Sequence, residues 1–190
     1  MDQRTIRTRE AIFRAYEQLL EQYGDVSRIS VKELAGCAGI SRSTFYSHYP
    51  DLNELTCDIT SSLAENICSI IKEQSMDFSD PDRLRKVFRQ ILLFLSSRGN
   101  ISKQILLHEA PDELVSPVLN TVLELATEDF RRRHLPLETQ TIHAISLLWT
   151  YGTYGLAREW FREDCKTDVS AMVDRISNAL TNFGTTVQPQ

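Results

Sequence analysis

Apolar residues recur at intervals of three and four positions along almost the whole chain, the spacing that places them on one face of an α-helix. In the first such segment, residues 5–23, the pattern stops at Gly24, a residue that commonly follows the end of a helix. The strict alternation of apolar and polar residues that is typical of β-strands is hard to find. The pattern therefore predicts an all-α protein.

Breaks in this pattern divide the chain into two parts. Glycine, proline and short polar runs separate two short helices before Pro50 from a series of longer helices after it. The longer helices are predicted at about residues 51–73, 81–98, 101–108, 115–133, 138–162 and 169–183. This arrangement predicts a small helical head over residues 1–50 and a larger helical bundle over residues 51–186.

Residues 30–48 have the sequence signature of a helix-turn-helix unit. Ser30 and Glu33 can form a capping box at the start of one short helix, and Ser41 can cap a second. Gly39 lies between them, where the tight turn needs a residue that tolerates positive φ. Residues suited to the contact between the two helices are Leu34, Ala35, Ile40 and Phe45.

The apolar face of the second short helix determines which side chains point outward. With Phe45 turned inward, the helix presents Arg42, which can hydrogen-bond a guanine, and Tyr46, which can pack on a thymine methyl or reach a phosphate. From spacing alone, an ordinary helical hairpin with a solvated outer face is the alternative interpretation. The candidate DNA-binding residues are Arg4, Arg7, Ser30, Lys32, Ser41, Arg42, Ser43, Thr44, Tyr46, Ser47 and His48.

This segment resembles the DNA-binding head of TetR-family transcriptional regulators. The resemblance covers about residues 5–55 and rests on Ala38-Gly-Ile-Ser41, Thr44-Phe-Tyr46, His48-Tyr49 and Glu54-Leu55. It implies a homodimer that places two recognition helices in successive major grooves of a palindromic operator in double-stranded DNA. The chain departs from the family at Leu52, where a lysine that points at the DNA backbone is common.

For the rest of the chain, the resemblance implies only roles, namely a ligand pocket among the middle helices and a dimer interface from the last two. Residues 151–161 also weakly resemble the C-terminal module of a TetR subgroup that includes a regulator of dihydroxyacetone kinase genes. The candidate pocket residues, for which simple core packing is the alternative, are Phe88, Leu92, Leu107, His108, Leu119, Phe130, His143 and Tyr151. The candidate interface residues are Trp149, Gly152, Gly155, Leu156, Trp160, Met172, Val173, Ile176, Leu180 and Phe183.

Charge is distributed unevenly between the two parts. The 190 residues carry a formal net charge of -5, yet the first 49 contain seven Lys/Arg and six Asp/Glu. The acidic excess therefore lies in the bundle, and basic groups surround the predicted recognition helix. Apolar runs are too short for a membrane span, and no hydrophobic leader pattern opens the sequence, which favours a soluble protein of the cytoplasm.

Neither metal binding nor enzyme chemistry has a supporting motif. The cysteines Cys37, Cys57, Cys68 and Cys165 show neither C-x-x-C spacing nor a paired histidine, so no metal site or disulfide framework is predicted. Cys165 lies in a charged stretch and is a candidate redox sensor. Together with His108 and His143 it would supply the groups of a thiol enzyme, but their spacing fits no such motif.

These observations favour a homodimeric transcriptional repressor, without a cofactor, that a small-molecule effector releases from its operator. Two alternatives keep the DNA binding, namely an activator of the same fold and a regulator whose effector is a protein. A helical enzyme or adaptor is the alternative from a different class.

Overall fold

The computed structural model describes residues 3–74, 80–108 and 111–185, which are α-helical apart from connecting turns and one 3₁₀ turn at Val26–Arg28. The helices are α1 (Gln3–Tyr23), α2 (Val31–Cys37), α3 (Arg42–His48), α4 (Leu52–Glu73), α5 (Pro81–Ser97), α6 (Asn100–His108), α7 (Pro111–Arg132), α8 (Thr139–Arg162) and α9 (Val169–Thr185). No strand occurs in these ranges, and the predicted all-α fold is confirmed. Within the same ranges, no helix is both long and apolar enough to cross a lipid bilayer.

Helix α4 connects the first three helices to the rest of the chain. It begins where the Asp51 carboxylate accepts a hydrogen bond from the Glu54 amide at 2.9 Å. Its buried face packs mainly against α7, and near its start the Thr56 hydroxyl lies 3.2 Å from the hydroxyl of Tyr16 on α1. One apolar core therefore extends from the head into the bundle.

The bundle is assembled around α7 and α8. Helix α7 packs against α4 and α8, whereas α5 packs along α9. Arg89 of α5 donates a hydrogen bond to the Ser170 hydroxyl at the start of α9, at 3.0 Å. The Trp160 indole of α8 donates to the Thr167 carbonyl at 2.7 Å and so fastens the connection from α8 to α9.

Two proline-containing helix starts show how the sequence sets the boundaries. The Asp80 side chain accepts hydrogen bonds from the amides of Asp82 and Arg83, and Pro81 occupies the first turn, as predicted. Helix α7 begins at Pro111, four residues before the predicted start at Val115. Proline fits there because the first amides of a helix have no helical acceptor in any case.

Candidate DNA-binding face and ligand cavity

The turn between α2 and α3 is closed by two backbone hydrogen bonds. The Ile40 amide donates to the Ala35 carbonyl at 3.0 Å, and the Gly39 amide donates to the Gly36 carbonyl at 3.2 Å. Together they form a Schellman motif, with Gly39 at φ +67°, where a residue with a Cβ is strained. This turn fixes the direction in which α3 leaves α2.

Serines cap both short helices. The Ser30 hydroxyl accepts from the Glu33 amide at 3.3 Å, and the Glu33 carboxylate accepts from the Ser30 amide at 3.2 Å, so the predicted capping box is confirmed. Hydrogen bonds from the hydroxyl and amide of Ser30, and one from Tyr23, lower the pKa of the Glu33 carboxyl. The Ser41 hydroxyl accepts from the Thr44 amide at 3.0 Å. Ser30 and Ser41 therefore serve first as helix caps.

Phe45 anchors α3 against the rest of the head. Its side chain is fully buried, and its ring centroid lies 5.6 Å from that of Tyr46 and 5.9 Å from that of Tyr49. On the opposite side of α3, Arg42 and Ser43 are exposed, and Tyr46 is 48% exposed. The helix thus offers a guanidinium, a hydroxyl and a phenol to the solvent, the side-chain types that contact base edges and phosphates.

The other predicted DNA-binding residues surround α3. Exposed basic side chains are Arg4, Arg7 and Lys32, and half-buried side chains on α3 are Thr44 and His48. The Ser47 hydroxyl donates to the Thr44 carbonyl at 2.7 Å and is committed to the helix. Leu52 is half-buried against the apolar core, so α4 brings no cation to the position where the family commonly has lysine.

An ion pair that the sequence did not reveal fastens the head to α4. Arg9 of α1 donates hydrogen bonds of 2.7 and 2.5 Å to the Asp58 carboxylate, and the Tyr49 hydroxyl donates to the same carboxylate at 2.5 Å. Burial raises the pKa of Asp58, but hydrogen bonds from Arg9 and Tyr49 and the charge of Arg9 outweigh it and lower that pKa. Burial and the bond to Asp58 raise the pKa of Tyr49. Arg9 and Asp58 are far apart in the sequence, so no local pattern marked them.

An apolar cavity of about 80 Å³ lies inside the bundle. Its walls come from α4, α5, α6, α7 and α8, and the ring of Trp149 packs 5.9 Å from that of Phe88. The polar side chains in the lining are Thr150, Thr153 and Tyr154. The full lining consists of Ile67, Ile71, Val87, Phe88, Ile91, Leu95, Leu106, Leu114, Val115, Val118, Val122, Trp149, Thr150, Thr153, Tyr154 and Ala157.

Of the predicted pocket residues, Phe88 lines this cavity. The lining does not include Leu92, Leu107, Leu119, Phe130, His143 or Tyr151. The side chain of His108 lies outside the described part. Leu92 is core, Phe130 packs with Ala126 and Ile142 in a separate cluster, and His143 and Tyr151 are exposed on α8. Helical periodicity identifies an inward face but does not separate core positions from cavity positions, so the lining of this cavity differs from the predicted set.

The predicted interface residues also separate into groups. Gly152 and Gly155 are exposed on the outer face of α8, whereas Trp149 and Leu156 are half-buried and pack on the core. Trp160, Met172, Val173 and Ile176 are buried within this chain's own core, so their apolar surface is already covered. The side chains of Leu180 and Phe183 lie outside the described part. Two further side chains of α8, Leu148 and Tyr151, are 69% and 39% exposed, although neither was predicted as an interface residue.

The structure also describes the surroundings of the candidate redox cysteine and of the possible metal ligands. Burial raises the pKa of the Cys165 thiol, with a smaller contribution from the charge of Asp164, so the group is held in the less reactive thiol form. Among the side chains that the structure describes, no group of three His, Cys, Asp or Glu is placed to hold a metal ion.

Solved structures of TetR-family transcriptional repressors share the fold of this chain. FadR of Bacillus halodurans, a fatty acid degradation regulator, superposes with a TM-score of 0.72 at 18% identity, over 91% of this chain and 94% of that chain. FadR of Thermus thermophilus, a TetR-family repressor solved with lauroyl-CoA, gives a TM-score of 0.66 at 18% identity, over 96% and 97%. The fold implied by the predicted resemblance is confirmed.

Sequence similarity points to the same class of protein. The HTH-type transcriptional regulator YxbF of Bacillus subtilis is 27% identical over 103 residues, which is 53% of this chain. The aligned segments span only 26% to 38% of the length of the curated relatives that match. No protein-family model matches the chain. The matched proteins are transcriptional regulators rather than enzymes.

Proposed function

We propose that the protein is a sequence-specific DNA-binding transcriptional repressor that reads DNA with α3. The observation that carries this proposal is the exposed face of α3, where Arg42, Ser43 and Tyr46 project opposite the buried Phe45. The Gly39 turn and the serine caps hold that face in one orientation. Arg42 donates to a guanine, and Tyr46 packs on a thymine methyl or contacts a phosphate. The basic side chains around α3 contact further phosphates.

The proposed repressor acts as a homodimer through the outer face of α8. Leu148, Tyr151, Gly152 and Gly155 follow helical spacing, and all four are exposed in the single chain. A Cβ at either glycine would meet no atom within 4 Å, so a second helix has room to approach closely. Contact between two such faces relates the two protomers by a two-fold axis. A two-fold symmetric DNA-binding dimer requires a palindromic operator.

A small molecule in the apolar cavity is the proposed signal for release. Ile67 and Ile71 of α4 line the cavity, and the same helix carries Asp58, which binds Arg9 and Tyr49 of the head. A ligand that fits one position of α4 better than another therefore shifts the orientation of α3, and affinity for the operator falls. The solved complex of Thermus thermophilus FadR with lauroyl-CoA supports ligand control in this fold.

An electrophoretic mobility-shift assay with the DNA upstream of the protein's own gene tests the DNA-binding proposal. We expect Arg42→Ala to lose about 1–3 kcal/mol of discrimination between specific and unrelated DNA, because the bidentate contact to a base is removed. The matched control is Arg83→Ala, which removes an exposed arginine of α5 that pairs with Asp80. Equal losses in both variants, or no specific shift of the unaltered protein, would overturn the proposal.

Sedimentation velocity of two leucine variants tests the dimer. Leu148→Asp places a charge on the proposed interface, so we expect monomers and weaker operator binding. Leu93→Asp is the control, because Leu93 on α5 is also an exposed leucine, at 49% against 69% for Leu148. Dissociation of the Leu93→Asp variant, or an intact dimer of the Leu148→Asp variant, would place the interface elsewhere.

A further inference from the structure

We propose that a cleft between the head and the bundle binds a free α-amino acid with an apolar side chain, whose carboxylate pairs with Arg98 and whose ammonium pairs with Glu17. The cleft is formed by α1, α4, the end of α5 and the start of α6. It shares no lining residue with the apolar bundle cavity, so the two spaces are separate. The inference rests on the proposed function only for the effect on DNA binding.

The floor of the cleft is apolar. The buried side chains of Ile59 and Leu63 on α4 and of Ile101 on α6 line it, and Phe13 and Phe94 line it with half-buried rings. Its volume of about 290 Å³ exceeds the ~150 Å³ of an engineered protein cavity that holds benzene. The cleft therefore has room for a side chain as large as that of leucine or phenylalanine, and binding removes this apolar surface from water.

Charged and polar side chains border the mouth of the cleft. Glu10, Arg14, Asn66 and Arg98 are exposed there, and Glu17 is half-buried. Within the described residues, none of the four charged side chains takes part in an ion pair. A simple cation would meet two guanidinium groups and a simple anion two carboxylates. The lining therefore favours a ligand that carries one charge of each sign.

The α1 wall and the α5 wall of the cleft carry charges of opposite sign. On α1, Arg14 Nε donates to the Glu10 carbonyl at 3.3 Å, which holds the guanidinium at the turn of Glu10, where it offsets that carboxylate. Glu17 therefore carries the uncompensated negative charge of this wall. At the end of α5, the Arg98 guanidinium lies 5.6 Å from the ring centroid of Phe94. Contact with a ring uses the face of a guanidinium and leaves its N–H edge for a carboxylate.

The burial pattern determines where the two charges lie on the ligand. Charged side chains border the mouth and apolar ones line the floor, so the ligand needs both charges at one end and an apolar body at the other. An α-amino acid has this arrangement, because its ammonium and carboxylate are attached to the same carbon atom. A molecule with charges at opposite ends of an apolar chain would place one of them against the buried floor, away from water.

Such a ligand would join the head to the bundle. Phe13 and Glu17 belong to α1, which packs against α2 of the head, whereas Phe94 and Arg98 lie at the end of α5 in the bundle. A ligand that contacts both holds α1, and with it the helix-turn-helix unit, in one position relative to the bundle. Filling the cleft therefore changes the affinity of the proposed repressor for its operator.

Ligand-observed NMR titrations of the full chain without DNA test the inference, with L-phenylalanine and two analogues that each lack one charge. We expect L-phenylalanine to bind with a Kd of about 1 mM or below. Phenethylamine, which lacks the carboxylate, and 3-phenylpropionate, which lacks the ammonium, should each bind at least about fivefold more weakly. Equal or tighter binding of either analogue, or no binding of L-phenylalanine at about 10 mM, would overturn the inference.

Single substitutions assign each charge of the ligand to one wall. Arg98→Gln should weaken binding of L-phenylalanine and 3-phenylpropionate about fivefold and leave that of phenethylamine within about twofold. Glu17→Gln should weaken L-phenylalanine and phenethylamine about fivefold and leave 3-phenylpropionate within about twofold. The matched controls are Arg83→Gln on α5 and Glu21→Gln on α1, because both residues are exposed and neither lines the cleft. Losses of the same size in the controls, or none in Arg98→Gln and Glu17→Gln, would contradict the proposed contacts.

The binding test fails separately from the proposed function. If L-phenylalanine binds through Arg98 and Glu17 while no specific DNA shift is found, the amino-acid site stands and the proposed repressor falls. If it binds but leaves a specific DNA shift unchanged, the site stands and its effect on DNA binding falls. If specific DNA binding is found but L-phenylalanine does not bind, the proposed repressor stands and the inference falls.

Discussion

In the head, which the structure describes over residues 3–50, the short helices are capped by hydrogen bonds between residues close together in the chain. The bundle cavity is instead lined by side chains from five separate helices. Ser41 and Thr44, or Ser30 and Glu33, are three positions apart. The cavity brings Ile67 of α4 together with Ala157 of α8. The head therefore keeps its shape through local geometry, and the cavity exists only when the whole bundle is packed.

The two regions also differ in chemistry. The face of α3 is polar and exposed, which suits a charged and hydrated ligand surface, such as the edge of a DNA groove. The cavity is apolar and lined mainly by aliphatic and aromatic side chains, which suits a ligand that leaves water. Asp58 and its partners lie between the two regions and connect them. The following variants test whether substitutions in the two regions, and in the contact between them, change the stability of the protein by different amounts.

The largest expected effect concerns one phenylalanine in each region. Phe45→Ala should lower the free energy of unfolding by about 4 kcal/mol, because it removes a fully buried ring from a small head. Phe88→Ala should cost less, about 3 kcal/mol, because one side of that ring already borders a cavity and has fewer contacts to lose. Urea denaturation gives the free energy of unfolding of both variants. A larger loss of stability in Phe88→Ala than in Phe45→Ala would contradict the expected order.

The next largest effect concerns the connection between the regions. Asp58→Asn should lower the free energy of unfolding by about 1–2 kcal/mol at neutral pH, since it weakens charge-assisted hydrogen bonds from Arg9 and Tyr49 that are partly open to solvent. Asp80→Asn is the control, because Asp80 pairs with the exposed Arg83 on the surface of the bundle. Equal stability of Asp58→Asn and the unaltered protein would show that the connection contributes nothing.

The stability that Asp58 contributes depends on pH in a defined direction. Because its pKa in the folded protein lies below the ordinary value of 3.8, the contribution is complete above that value and is lost as the pH falls through the folded pKa. The difference in unfolding free energy between the unaltered protein and Asp58→Asn should therefore shrink as urea titrations move from about pH 7 to about pH 3. A difference that grows over this range would contradict the ion pair.

Two glycines three residues apart in the head complete the comparison, and one of them, Gly36, has the smallest expected effect. Gly39→Ala should cost about 1–2 kcal/mol, since its φ of +67° is strained for alanine. Gly36→Ala should stabilise by about 0.5–1 kcal/mol, because Gly36 is helical and a Cβ there would meet no atom within 4 Å. Thermal unfolding measures both, and a Gly39→Ala variant as stable as the unaltered protein would show that the turn does not depend on Gly39.

The head was largely predictable because its determinants are local. The serine caps, the turn at Gly39 and the buried Phe45 all follow from spacings of a few residues, and the structure has them where the sequence predicts. The contact of Arg9 with Asp58 was not predictable, because residues 49 positions apart have no spacing rule.

The cavity was less predictable for the same physical reason. The period of an amphipathic helix identifies buried positions such as Leu92 and Phe130, but which of them border a space depends on how five helices meet. Thr150 and Thr153 were overlooked, since threonine in a helix gives no apolar signal. Leu148 was overlooked because an exposed leucine is conspicuous only when its exposure is known.

The most direct test of the proposed two-fold symmetric DNA reader is selection of bound sequences from a pool of random double-stranded DNA by the full chain, followed by sequencing. We expect an enriched sequence with two inverted half-sites, because α3 of each protomer reads one half and the α8 contact relates the two by a two-fold axis. Enrichment should disappear for Arg42→Ala. No enriched sequence, or an enriched sequence without inverted symmetry, would contradict the proposal.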